Sequence, residues 1–311
     1  MAFPAALRPL RIVPGLRDDA GLGCAPIGNL FAPVPDADAV ATVEAALSAG
    51  VRFFDTAPLY GDGESERKLG LALRGVPRDE VVIATKVGRQ LLDADGAPVT
   101  GAASGASSVA DLSRGVWRSL EGSLARIGTD RVDVLHLHDP LDVKAGLAGA
   151  MTALVELREQ GVVRAISVGL GRLEPLERFT AEAPLDVIME AGRLTLLDRT
   201  AEERLLGLAA ARGIGVIAAG VFNSGILADP DAAPYFEYRQ ADAALLERAR
   251  RLQALCADRG VTLADAAVRF PLRRGADAVV VGARTPAEVD AFVAGLSAEI
   301  PEELWLALEV A

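Results

Sequence analysis

The feature that most limits what this chain can become is a rhythm. Eight short apolar runs recur along it, separated by longer stretches of helical periodicity. The runs lie at residues 22–28 (LGCAPIG), 51–54 (VRFF), 81–86 (VVIATK), 132–138 (VDVLHLH), 163–168 (VRAISV), 186–189 (DVIM), 215–218 (GVIA) and 278–281 (AVVV). Runs that are apolar throughout suit strands covered on both faces, and strand-helix alternation leads to a parallel sheet. Helices are expected over 36–50, 64–74, 112–127, 145–160, 173–181, 201–211, 242–258, 263–271, 286–294 and 302–310. The α/β pattern predicts a (β/α)8 TIM barrel rather than an open sheet. No shift in composition and no repeat divides the chain, so residues 1–311 read as a single barrel domain.

Charge and hydropathy exclude whole classes of partner. The net charge of −11 comes from 43 acids against 32 bases, with no basic cluster, so nucleic acid is not an expected partner. No apolar run approaches the roughly 20 residues that span a bilayer, and the first residues lack a leader's apolar core. No membrane contact and a cytoplasmic location are expected. Cys24 and Cys256 stand far apart in no metal or redox spacing and read as reduced, buried thiols.

In such a barrel the C-terminal strand ends form the chemical face. The second run delivers Asp55 and then Tyr60 there, the third ends on Lys86, and the fourth ends on His138. The chain's two histidines, His136 and His138, share one strand and, two residues apart, one face. His136 lies deeper and reads as a hydrogen-bonded core residue, whereas His138 is at the rim. An HxH pair also resembles half a zinc site, but no further histidine exists to complete it, so no metal is expected. The long segment 89–108, rich in Gly, Ala and Ser, is expected over the same face as a lid or substrate wall.

These four side chains suit proton transfer at an alcohol or carbonyl oxygen. A free phenol titrates near ~10, too high for neutral pH. A lysine ammonium within reach favours the phenolate, a carboxylate behind the lysine keeps it charged and aimed, and an imidazole can hold the substrate oxygen. The carbon-bound hydrogen then needs another acceptor, and a nicotinamide cofactor is one.

FFDTAPLYGDGESERKLGLAL at 53–73, ATK at 84–86, DVLHLHDP at 133–140 and GARTPAEV at 282–289 together make the chain resemble an aldo-keto reductase over nearly its whole length. The resemblance implies the barrel fold and a catalytic tetrad at Asp55, Tyr60, Lys86 and His138. Segment 189–227 is similar to the branch that holds D-threo-aldose 1-dehydrogenases and pyridoxal 4-dehydrogenases. That implies NAD(P)-dependent oxidation of the hemiacetal C1–OH of a sugar, or of pyridoxal, to a lactone, with Tyr60 as general base. An NADPH-dependent aldehyde or ketone reductase with the same tetrad is the alternative, and a dinucleotide-binding module with little turnover is a third reading.

Cofactor contacts implied by the same resemblance are Gly23, Gly169, the loop Gly220, Val221, Phe222, Asn223 and Gly225, and then Gly282, Arg284 and Glu288. The usual Ser-Asn pair is replaced by Gly169-Leu170, the tyrosine that stacks on nicotinamide by Ala219, and a frequent adenine-binding Asn by Phe292. Glu288 would repel a 2′-phosphate and accept from a free ribose hydroxyl, which favours NAD. Arg284 would clamp a phosphate, which favours NADP.

Overall fold

Seven of the eight runs become strands, and with a first strand that overlaps the remaining run only at Leu22–Gly23 they close one all-parallel barrel in which sequence neighbours are also spatial neighbours. The computed structural model describes residues 17–30, 32–89, 91–92, 98–99, 109–140 and 142–311. The strands are β1 (Arg17–Gly23), β2 (Val51–Asp55), β3 (Val82–Val87), β4 (Val134–His138), β5 (Ala165–Leu170), β6 (Val187–Ala191), β7 (Gly215–Ala219) and β8 (Ala278–Gly282). The first differs most from expectation. It ends at Gly23, and Pro26–Gly28 forms a 3-10 turn, because Pro26 has no N–H to give a ladder.

Alternation along each strand separates two cores. Phe53, Val82, Ala84, Val134, Ala165, Val187, Met189, Ile217, Ala278 and Val280 point inward and fill the barrel. The alternate residues, Phe54, Ile83, Leu135, Ile166, Ile188, Val216 and Val279 among them, pack beneath the helices. Continuing the inward series by two residues leads from Phe53 to Asp55, from Ala84 to Lys86 and from Val134 to His136 and His138. The same pleat that fills the barrel therefore aims the polar residues at its mouth.

The opposite end is closed by a repeated device. Asp133, Asp186 and Asp277, each one residue before an even-numbered strand, accept through Oδ2 from Ile83 N, Ile166 N and Val216 N at 2.9, 2.9 and 2.8 Å. In each pair the aspartate's own N–H donates back to the carbonyl of the same residue. Orphan strand-start amides are satisfied where the helices do not cover them.

The helices are α1 (Asp36–Ser48), α2 (Glu64–Ala72), α3 (Val109–Ile127), α4 (Val143–Ala145, a π-helical stretch Gly146–Ala150, then Met151–Glu159), α5 (Leu173–Glu182), α6 (Leu205–Arg212), α7 (Ala243–Ala257), α8 (Leu263–Arg273), α9 (Pro286–Ser297) and α10 (Glu302–Val310). Among the described residues no helix is long and apolar enough to cross a membrane. The expected lid at 89–108 lies largely outside the described residues; within it, Leu91–Leu92 pairs antiparallel with Pro98–Val99. A second small hairpin, Tyr235–Phe236 with Arg239–Gln240, follows β7.

Candidate active site

Tyr60 stands on a short loop between β2 and α2, and the residues after it fix that loop from below. Ser65 Oγ donates to the Cys24 carbonyl oxygen and meets Thr56 Oγ1, both at 2.7 Å. Glu66, fully buried, accepts from Thr85 Oγ1 at 2.6 Å and from Arg126 Nε at 2.7 Å. The buried Lys68 ammonium donates to the carbonyls of Ile27 and Val34 and to Asn29 Oδ1, at 3.0, 2.6 and 2.9 Å. Two buried charges with their partners satisfied thus hold α2 against the turn after β1 and against β3. Gly61, at φ +64°, passes so close to this turn that a Cβ would lie 2.0 Å from the Gly28 carbonyl oxygen.

Above this base the four expected side chains converge. Lys86 Nζ donates to Asp55 Oδ2 at 2.5 Å and to the Thr56 carbonyl oxygen at 2.9 Å. The same ammonium lies 4.9 Å from the centre of the Tyr60 ring. The Tyr60 and His138 rings meet edge to face with centroids 5.8 Å apart. His136 is fully buried, with Nδ1 at 2.8 Å from Ser167 Oγ, as its reading as a core residue implied.

Burial decides the electrostatics. It pushes the Tyr60 phenol up to about 12, opposed by the positive charge of Lys86 and reinforced by Asp55 and Tyr238. The expectation that lysine would bring the phenol down holds for the sign of that one contribution and fails for the sum, because desolvation is larger. Burial raises Asp55 too, against the pull of Lys86. For Lys86, burial alone would lower the ammonium, but Asp55 and Tyr60 outweigh it and it is raised. His138 is held well below the ordinary histidine range by burial, then by Lys86 and Arg89, so its ring is neutral.

The rest of the mouth is lined differently. Gly23 ends β1 and Gly282 ends β8, paired in register, and Gly23 is also paired with Asp55. Gly169 on β5 is in register with His138 on one side and Met189 on the other. Val221 and Asn223 are buried, Phe222 is half-buried, and Gly220 and Gly225 take the left-handed backbone their turns require. Arg284 and Glu288 open α9 on the surface, where Glu288 Oε2 accepts from Arg284 N at 2.8 Å. Leu170 faces outward into the helix layer, so of the Gly169-Leu170 pair only the glycine borders the mouth.

This arc fits a dinucleotide. Gly23, Gly169, Ala191, Ala219 and Gly282 leave the rim from β5 round to β1 without bulk, beside the polar quartet on β2 to β4. Asn223 Oδ1 is buried there with no partner, while its Nδ2 donates to the Gly192 carbonyl oxygen at 3.2 Å. An orphaned buried oxygen beside glycine-lined space is what a ligand with hydroxyl or amide donors would satisfy.

The sequence reading assigned no role to Met189, which borders Gly169, or to the hairpin tip. Glu237 and Tyr238 both take positive φ, Tyr238 N donates to Ser224 Oγ at 3.0 Å, and Glu237 is ion-paired with Arg193. The Tyr238 phenol is within electrostatic reach of Tyr60 and Asp139, which puts this tip near the mouth.

Known proteins resemble this chain in sequence and in fold. Residues 20–309 match the model of the Aldo/keto reductase family. The chain is 40% identical to the D-threo-aldose 1-dehydrogenase of a Pseudomonas species, over 98% of this chain and 96% of that one. It is 38% identical to the pyridoxal 4-dehydrogenase of Microbacterium luteolum, over 93% and 92%. The solved structure of a glycerol dehydrogenase from Gluconobacter oxydans superposes with a TM-score of 0.74 at 25% identity, covering 94% of this chain and 90% of that one. Members of this family use nicotinamide cofactors. The chain belongs to the aldo/keto reductase family and is an NAD(P)-dependent oxidoreductase acting on CH–OH groups.

Proposed function

We propose that the chain works as one barrel domain, an NAD⁺-dependent dehydrogenase that oxidises the hemiacetal C1–OH of an L-fucose-type sugar, or of pyridoxal, to a lactone. The names of its two relatives at 38–40% identity support the substrate class. The observation that carries the reading is the gathering of Tyr60, Lys86 and His138 at the barrel mouth with Asp55 behind the lysine.

The bound nicotinamide supplies the acceptor for the hydride that leaves the substrate carbon. Tyr60 takes the proton of the anomeric hydroxyl. With its phenol pushed up to about 12, it is a strong base once ionised, and the adjacent ammonium is the charge that favours ionisation. Asp55 keeps Lys86 charged and fixed in direction. His138, neutral, has an N–H to give the substrate oxygen and holds it beside the phenol. The acidic Glu288 supports NAD over NADP, and its bond from the Arg284 N–H holds the carboxylate in place at the start of α9.

Steady-state rates test the proposal, followed by absorbance of the reduced cofactor. NAD⁺ with L-fucose or pyridoxal is expected to give a higher kcat/KM than NADPH with a simple aldehyde. The reverse ranking would reassign the chain as an NADPH-dependent reductase, the direction Arg284 would serve.

A further inference from the structure

Behind the reacting groups lies a second layer that neither the tetrad nor the cofactor arc accounts for. Asp55 spends only one oxygen on Lys86. The other, Oδ1, is buried without a hydrogen-bond partner, and the polar atom facing it is His136 Nε2 at 3.6 Å, itself buried and unpartnered. Two orphans facing each other across a gap about half an ångström longer than a hydrogen bond form an incomplete link.

A serine hydroxyl can donate or accept, and Ser167 Oγ also lies 3.4 Å from the Val168 carbonyl oxygen, so the Asp55 side of the ring decides which proton it carries. His136 Nδ1 lies 2.8 Å from Ser167 Oγ on the adjoining strand. If Nδ1 bore the hydrogen, the Nε2 lone pair would face the Asp55 carboxylate, acceptor against acceptor, in a dry interior. If Ser167 donates to Nδ1, Nε2 bears the hydrogen and points it at Oδ1. Burial and the Lys86 charge hold the ring neutral, which leaves these two tautomers as the choices.

We infer that His136 is a positioning residue: as the Nε2–H tautomer, accepting at Nδ1 from Ser167, it closes a hydrogen bond onto Asp55 Oδ1 in the working enzyme and so steadies the carboxylate that aims Lys86 at Tyr60. The inference rests on the proposed roles of Tyr60 and Lys86. The titratable and charged groups around the link are Lys86 from β3, Tyr60 from the loop after β2, Cys24 from the end of β1 and His138 on the same strand as His136, with Arg89, Asp139 and Tyr238 farther out at the mouth.

Two histidines in the whole chain make the test direct. In protein labelled with ¹⁵N-histidine, long-range proton-nitrogen spectra show two imidazoles, and His136→Gln identifies which is which. The expected result is a neutral Nε2–H ring at His136 whose resonance moves in Asp55→Asn. An Nδ1–H ring would overturn the inference whether or not the protein turns over any sugar.

The kinetic arm compares His136→Leu with His136→Gln under NAD⁺ and L-fucose. Leucine is expected to lower kcat/KM about tenfold and to move its acid limb up by about one pH unit, since a carboxylate without its donor protonates more readily. Glutamine, whose amide can donate to Oδ1, is expected to restore both to within about threefold of wild type. Identical profiles for the two variants would count against the link. Wild-type protein that reduces no NAD⁺ with any sugar or pyridoxal would remove the proposed function alone, and the tautomer would still decide this point.

Discussion

Lys86 and Asp55 form an ion pair at 2.5 Å with side-chain exposures of 2% and 4%, so neither charge has water to fall back on. A pair of this kind adds little net stability, yet removing one member leaves the other charge buried and bare. Lys86→Met is therefore expected to cost about 3–5 kcal/mol in urea unfolding, with Asp55→Leu added to it recovering much of the loss. A cost under about 1 kcal/mol for the single change would mean that water reaches the pair.

Tyr60→Phe removes a hydroxyl and leaves the ring against His138. Loss of the proton acceptor is expected to lower kcat by about 10²–10⁴-fold. The NAD⁺ dissociation constant, read by fluorescence titration, is expected to stay within about twofold. Parallel losses in both would place Tyr60 in cofactor binding instead.

How much of this was readable in advance follows from what a one-dimensional pattern contains. A strand's two-residue period is local, so the inward series 53-55, 84-86 and 134-136-138 could be read off directly, and with it Asp55, Lys86 and His138, whereas Tyr60 on the loop after β2 came from the motif. The bounds of β1 could not, because a proline-bearing turn and a strand share the same apolar letters. Nor could the sign of the Tyr60 shift, which depends on how completely the surrounding fold excludes water from the phenol. Ser65, Glu66 and Lys68 were quoted as part of a motif but not as the girders beneath Tyr60, since their partners Cys24, Thr85 and Val34 are distant in sequence.

Those girders make Gly61 a sensitive position. Its left-handed φ of +64° and a would-be Cβ at 2.0 Å from the Gly28 carbonyl oxygen leave an alanine nowhere to go except by lifting the Tyr60 loop. Gly61→Ala is expected to lower kcat/KM by about 10²-fold, the loss that a misplacement of about an ångström produces. Circular dichroism would show the fold retained. Unchanged kinetics would show that the loop tolerates the shift.

The proposed preference for NAD rests on the first turn of α9 and the arginine just before it. Glu288→Ala removes the carboxylate, while Arg284 remains to meet a phosphate. The ratio of NADP⁺ to NAD⁺ dissociation constants is expected to fall about tenfold, equivalent to about 1.4 kcal/mol. Calorimetric titration of both nucleotides against both proteins measures it, and an unchanged ratio would place dinucleotide selection elsewhere.

The last prediction concerns a carboxyl with no assigned part in the chemistry. Glu190 on β6 is fully buried, Oε2 accepts from Arg193 N at 2.8 Å, and Oε1 has no partner. Burial pushes it up to about 8, with the Arg193 N–H opposing and Asp198 adding to the rise. In the unfolded chain it returns to about 4.3, so between those values the folded protein holds a proton that the unfolded protein has released. By linkage, stability then falls as pH rises through this window, by up to about 1.4 kcal/mol per pH unit from this group, and the contribution is spent above pH 8. Glu190→Gln keeps the shape and cannot ionise. Its stability is expected to match wild type near the acid end of the window and to exceed it increasingly towards the alkaline end, in urea melts taken across the range. Parallel curves for the two proteins would show that Glu190 is ionised in the folded state, with a donor or water on Oε1.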